Sequence, residues 1–162
     1  MKSTALLEFL REIYRDRLSL WHRHAAAAAH VADYNFNNTY QYVINRADGH
    51  VRWLQDAIEE MGGTPEDLPL PDVQSPGKGR DAAQGLIRGD RDAARQFVEK
   101  WTARVEALPN ARHKTMLGVM LGEVREQERF FEQAMAGRDD LLGRRADGAG
   151  TGGGVMPTRW LG

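Results

Sequence analysis

The chain has 162 residues, with 22 Lys plus Arg against 23 Asp plus Glu, a formal net charge of -1 and no cysteine. Its length and 41% hydrophobic content suit one domain with one buried core. The balanced charge, with no long run of one sign, argues against nucleic acid or acidic membranes as main partners, and the absence of cysteine excludes disulfides, thiol catalysis and zinc-thiolate sites. Any metal site must therefore be built from His and carboxylates. The N-terminal stretch MKSTALLEFLREIYRDR meets charge within a few residues, so neither a signal peptide nor a membrane span is expected there, and the chain reads as cytoplasmic.

From Ser3 a plausible cap precedes Leu7, Leu10, Tyr14, Leu18, Trp21, Ala25 and Ala28, which recur at steps of three and four. With the alanine run Ala25 to Ala29, this predicts a first helix to about Asp33, roughly 45 Å long at 1.5 Å per residue. Tyr34 to Asn38 is rich in turn formers and is expected to join it to an antiparallel neighbour. The second helix is predicted from Asn38 to Met61, with Val43, Ala47, His50 or Val51, Leu54, Ile58 and Met61 inward and Gly62-Gly63 supplying a left-handed cap. Gly49 inside it would suit a tight helix crossing.

Residues 64–89 contain four prolines and four glycines and read as a long connector that runs along the bundle. Asp90 is then placed as the cap of a third helix with Ala94, Phe97, Trp101, Val105 and Leu108 on its apolar face, ended by Pro109. Asn110 caps the fourth, whose Met116, Met120, Glu123, Gln127, Phe130 and Ala134 share one line, and which ends near Gly137. Residues 139–154 form a Gly-rich linker, flexible by composition, with five glycines between Gly148 and Gly154. Residues 155–162 form a short apolar and basic terminus.

Two long helices, a long crossover and two further helices, together with His50-Val51-Arg52-Trp53-Leu54 and Gly62-Gly63-Thr64-Pro65, resemble the ferritin-like superfamily of rubrerythrins and bacterioferritins over about Ser3 to Gly137. The resemblance implies an all-α, ferritin-like antiparallel four-helix bundle. It also implies a pattern of iron ligands, a glutamate from each of two helices and Glu-x-x-His from each of the other two. The chain departs from that pattern. The first Glu-x-x-His falls on Ala47 and His50, and the second on Glu126 and Arg129. The first-helix glutamate is expected near Tyr14, where Glu12 and Asp16 lie on other faces. On the third helix the position is near Ala93, with Glu99 the nearest acid.

Iron or manganese, if bound, would therefore be held by a reduced set of His50, Glu123 and Glu126, with Glu12 or Asp16 as further candidates. A buried carboxylate at Glu123 could equally belong to a salt bridge, and His50 to a hydrogen bond across the bundle. His22, His24 and His30 lack metal-pair spacing and are assigned to the surface or an interface. Trp21, Trp53, Trp101 and Phe130-Phe131 are read as core, with any exposed member marking an oligomer interface. Val155, Met156, Pro157, Arg159, Trp160 and Leu161, hung on the glycine tether, have the layout of a docking peptide. That layout is similar to the C-terminal loading peptides of ferritin-like cargo proteins that enter encapsulin shells; the alternative is a segment folded back on its own bundle or a disordered remnant.

The leading expectation is a non-catalytic structural or interaction protein, homo-oligomeric, engaging a protein partner, a shell or a neighbouring subunit through that peptide. A divergent iron-binding protein or oxidoreductase, and a small-molecule-binding bundle, stand as alternatives.

Overall fold

A computed structural model describes residues 2–138, so Val155, Met156, Pro157, Arg159, Trp160 and Leu161 lie outside the described residues. Four helices follow in order, α1 (Ser3–Ala28), α2 (Tyr34–Glu60), α3 (Arg80–Glu106) and α4 (Ala111–Met135). The chain is an all-α four-helix bundle. The helices form a ring in which α1 packs on α2 and α3, and α4 packs on α3 and α2. Neighbours run antiparallel: Arg17 meets His50 and Tyr14 meets Gln55 between α1 and α2, whereas Glu60 meets Arg112 and Tyr42 meets Phe130 between α2 and α4. No described helix is long and apolar enough to cross a membrane.

The starts of α2 and α4 follow local capping, whereas α1 and α3 have no side-chain cap and Ser3, expected to cap α1, is its first helical residue behind Lys2. The first turn falls at residues 29–33 rather than at Tyr34 to Asn38. Asp33 caps α2, accepting from the amides of Asn35 and Phe36 at 3.0 and 3.1 Å, so the Asn-rich stretch is the first turn of a helix. Asn37 donates back to the carbonyls of Ala28 and Val31, both at 3.1 Å, which satisfies the end of α1 before it reaches Asp33. At the other end of α2, Gly62 takes φ 82°, its amide donates to Glu59 and that of Gly63 donates to Ile58, each at 2.9 Å. This is the expected left-handed cap. Asn110 caps α4 through the amide of His113 at 3.0 Å, as its sequence position predicts.

The connector occupies residues 61–79, shorter than the predicted 64–89, because α3 starts at Arg80 and runs through Gly85 and Gly89. Asp90 is therefore no cap. It is a buried mid-helix residue, 1% exposed. The connector climbs the α1 side of the bundle: Glu66 pairs with Arg15 at 2.8 Å near the bottom, and the Val73 carbonyl accepts from His30 at 3.0 Å near the top.

Two apolar clusters fill the interior. One joins Leu6 to Leu20, Val51 to Ile58, Ala94 to Leu108 and Leu117 to Val124; the other joins Ala27 to Val43, Ile87, Phe131 and Ala134. Each helix carries a polar residue between them: His24, His50, Asp90 and Gln127, all buried. Buried polar groups are expensive unless paired, so this layer is where the fold departs from simple hydrophobic packing.

Candidate functional site: a buried polar layer

The buried face of α1 includes the predicted Leu10, Tyr14, Leu18 and Ala28 but extends to Leu6, Phe9, Ile13, Leu20 and Ala27, and passes through two polar side chains, Arg17 and His24. Arg17, about one turn beyond Tyr14, is the polar side chain of α1 that faces His50. The guanidinium is fully buried and reaches across to α2, where its Nε and Nη2 donate to His50 Nδ1 at 3.3 and 3.2 Å. With Nδ1 accepting, the imidazole proton sits on Nε2, which donates to the Glu123 carboxylate on α4 in a short hydrogen bond. Arg46 lies 3.5 Å from the other oxygen of Glu123. The Phe97 ring of α3 packs 6.0 Å from the Arg17 guanidinium.

Arginine, histidine and glutamate form a chain across three helices. Burial lowers the Arg17 pKa to about 9, with Glu123 opposing the shift. Burial also lowers the His50 pKa, helped by the adjacent Arg17 charge and opposed by the Glu123 hydrogen bond. Geometry agrees with that direction, since protonating Nδ1 would turn an acceptor of two guanidinium hydrogen bonds into a donor facing a cation.

A second cluster lies toward the top. Asp90 accepts from His24 Nδ1 at 2.9 Å and from the Tyr40 hydroxyl at 2.5 Å, and Arg23 Nε approaches it at 3.3 Å. Burial is the leading cause that lowers the His24 pKa and raises that of Tyr40, so both are neutral near pH 7. His24 is wholly buried, which corrects its assignment to the surface or an interface. Sequence spacing missed the pair because Asp90 lies 66 positions from His24. A Cβ at Gly89 would come within 2.6 Å of Arg23 Nη2, so the glycine leaves room for the arginine to reach Asp90.

Of the metal candidates, His50 and Glu123 meet, whereas Glu126 is only half-buried. Glu99 and Arg129 are exposed, so the inward residues of α4 in this layer are Glu123 and Gln127. Glu12 and Asp16 are engaged at the surface: Arg104 donates to Glu12 at 2.7 and 2.8 Å, and Lys100 lies 2.7 Å from Asp16, which also accepts from Trp101 Nε1 at 2.9 Å. Among the described residues no group of three or more His, Asp or Glu is placed to hold a metal ion. The residues present do not fit one. Both ring nitrogens of His50 are committed, one of them to a cation that would repel a metal.

Trp101 is fully buried and Phe131 nearly so, as predicted, but Trp53 is 40% exposed beside Val119 at 48%. These two line a cavity of about 350 Å³ between α2 and α4, together with Ala57 and Met116. No protein-family model matches the chain, and no curated protein is significantly similar to it.

Proposed function

We propose that the chain is a non-catalytic bundle of the ferritin-like type, in which a buried arginine stands where the family's metal chemistry would be, and that it works as a structural or interaction module. The observation that carries this reading is the Arg17–His50–Glu123 chain. An internal guanidinium can neutralise an inward carboxylate as a metal would, but it exchanges neither ligands nor electrons. Ala47 in place of a bridging glutamate supports the same conclusion. So does the antiparallel ring with its long second crossover, the topology that ferritin-like folds share.

The interaction half of the proposal rests on the sequence of 155–162, with Trp160 and Leu161 as anchors and Arg159 as the polar contact, and on a surface that leaves Trp53 and Val119 exposed. Self-association, or capture of a protein partner or shell, is the expected behaviour. Sedimentation and light scattering of the full chain beside a form ending at residue 154 test it. A change in assembly state, or loss of a partner held by the full chain, supports the reading; identical assembly and partner binding in both forms would refute it.

A further inference from the structure

The ring of helices has two opposite grooves, α1/α3 and α2/α4, and they are treated differently. Across the first runs the connector: Leu68 packs on the core, and Pro71, Asp72 and Val73 line, with Leu20 of α1 and Phe97 of α3, a cavity of about 530 Å³. The second groove has no such strap among the described residues. There Trp53 and Val119 are exposed, Met116 is half-buried, and the open space is about 350 Å³. Asp56 and Glu60 stand on the α2 rim and Arg112 and His113 on the α4 rim. The groove is apolar along its floor and acidic along one edge.

We infer that the α2/α4 groove is the seat of residues 155–161 of the same chain, covering Trp53 and Val119 as the connector covers the opposite side. The inference takes the alternative in which that segment folds back on its own bundle, names its receptor there, and makes partner capture a displacement from that seat. Three observations select this occupant. The first is chemistry: Met156, Trp160 and Leu161 are apolar partners for Trp53, Met116 and Val119, and Arg159 is a cation for Asp56, since Glu60 is already paired with Arg112. The second is position: α4, to which the segment is tethered, is itself one wall of this groove.

The third is reach. Val119 lies 18 positions before Gly137, about 27 Å down the helix at 1.5 Å per residue. The 16 residues of 139–154 reach at most about 55 Å when fully extended, so the groove lies within their length. A tether of this kind gives an effective concentration of about a millimolar, roughly a hundredfold above a second copy present at 10 µM. The same chain therefore outcompetes its neighbour at ordinary concentrations. A partner that binds 155–161 must displace it from this seat, and displacement uncovers Trp53 and Val119.

The absence of cysteine makes the test direct. Thr158→Cys in the full chain is labelled with a nitroxide, and backbone amide intensities are compared before and after its reduction. The inference predicts reversible signal loss at Trp53, Ala57, Met116 and Val119, in the labelled copy itself, and recovery when Val119→Glu is added. Signal loss centred on another face, or none in the bundle, would overturn it. Mixing spin-labelled chain without isotope with isotope-enriched chain without label separates the copies. Loss that persists in that mixture, where no enriched chain carries a label, would overturn the same-chain seat while leaving engagement of a neighbouring subunit intact.

Discussion

Replacing Glu123 with glutamine removes the one carboxylate in the Arg17–His50–Glu123 chain while keeping its shape. An arginine held near pH 9 by burial carries a charge-burial cost on the order of 5 kcal/mol even with Glu123 present. Deleting the counter-charge of such a group costs about 3–5 kcal/mol, and the 21% exposure of the Glu123 side chain places the expected loss at the low end, about 3 kcal/mol. Arg17→Met fills similar volume without charge, and His50 is then free to take a proton opposite Glu123, so its cost is expected within about 1 kcal/mol of zero. The double variant should be no less stable than Glu123→Gln alone and should recover about 2 kcal/mol of its loss, because the stranded cation has gone. Urea unfolding at pH 7.5, followed by far-ultraviolet circular dichroism, measures all four corners of the cycle. Strictly additive effects would refute the idea that Glu123 neutralises Arg17 through His50.

The same layer sets the response to acid. His50 and His24 both have folded pKa values below their unfolded ones, so both are neutral in either state at pH 7 and their contribution is intact there. As pH falls below about 6.5 the unfolded chain takes protons that the folded chain refuses, and stability should fall until about pH 4, where His50 charges in the fold. Denaturation midpoints that stay flat between pH 7 and pH 4.5 would contradict this. Tyr40→Phe removes the hydroxyl that donates to Asp90 in the core and should cost about 1–3 kcal/mol by thermal or urea unfolding, whereas a neutral result would mean that Asp90 is satisfied without it. Gly49→Ala should stabilise by about 0.5–1 kcal/mol, because a Cβ there meets nothing within 4 Å; Gly63→Ala should destabilise, because a Cβ would come within 2.8 Å of Leu7 and 2.9 Å of Ile58.

Architecture was legible where apolar periodicity was uninterrupted. The α3 face from Ala94 to Leu108 and the α2 face from Val43 to Ile58 are buried as their spacing predicts, and the glycine cap at Gly62 falls where expected. On α1, Leu10, Tyr14, Leu18 and Ala28 are buried as predicted, but the stripe left out Leu6, Ile13 and Leu20 because Arg17 and His24 occupy two inward positions beside them and dim the hydrophobic signal there. Capping residues misled in three places. Ser3 lies inside α1 behind Lys2 and caps nothing. Asp33 was available to start α2, so the turn formers after it became helix, and Asp90 lacked a cap role because Gly79 and Arg80 had already started α3. The presumed crossing at Gly49 does not exist, as the open space around its Cβ position makes plain. Within the polar layer, His50, Glu123 and Gln127 were visible from helical spacing alone. Arg17 and Asp90 were not, because the partners that explain them lie 33 and 66 positions away.

Whether the arginine has taken the metal's place is decided most directly by metal content. Untagged protein is purified without chelators, loaded aerobically with Fe(II), desalted and analysed by plasma mass spectrometry, alongside His50→Ala and Glu123→Ala. The account predicts substoichiometric iron and manganese in the parent chain, unchanged in both variants. Near-stoichiometric metal in the parent, lost in both variants, would contradict it and make this bundle an altered metalloprotein.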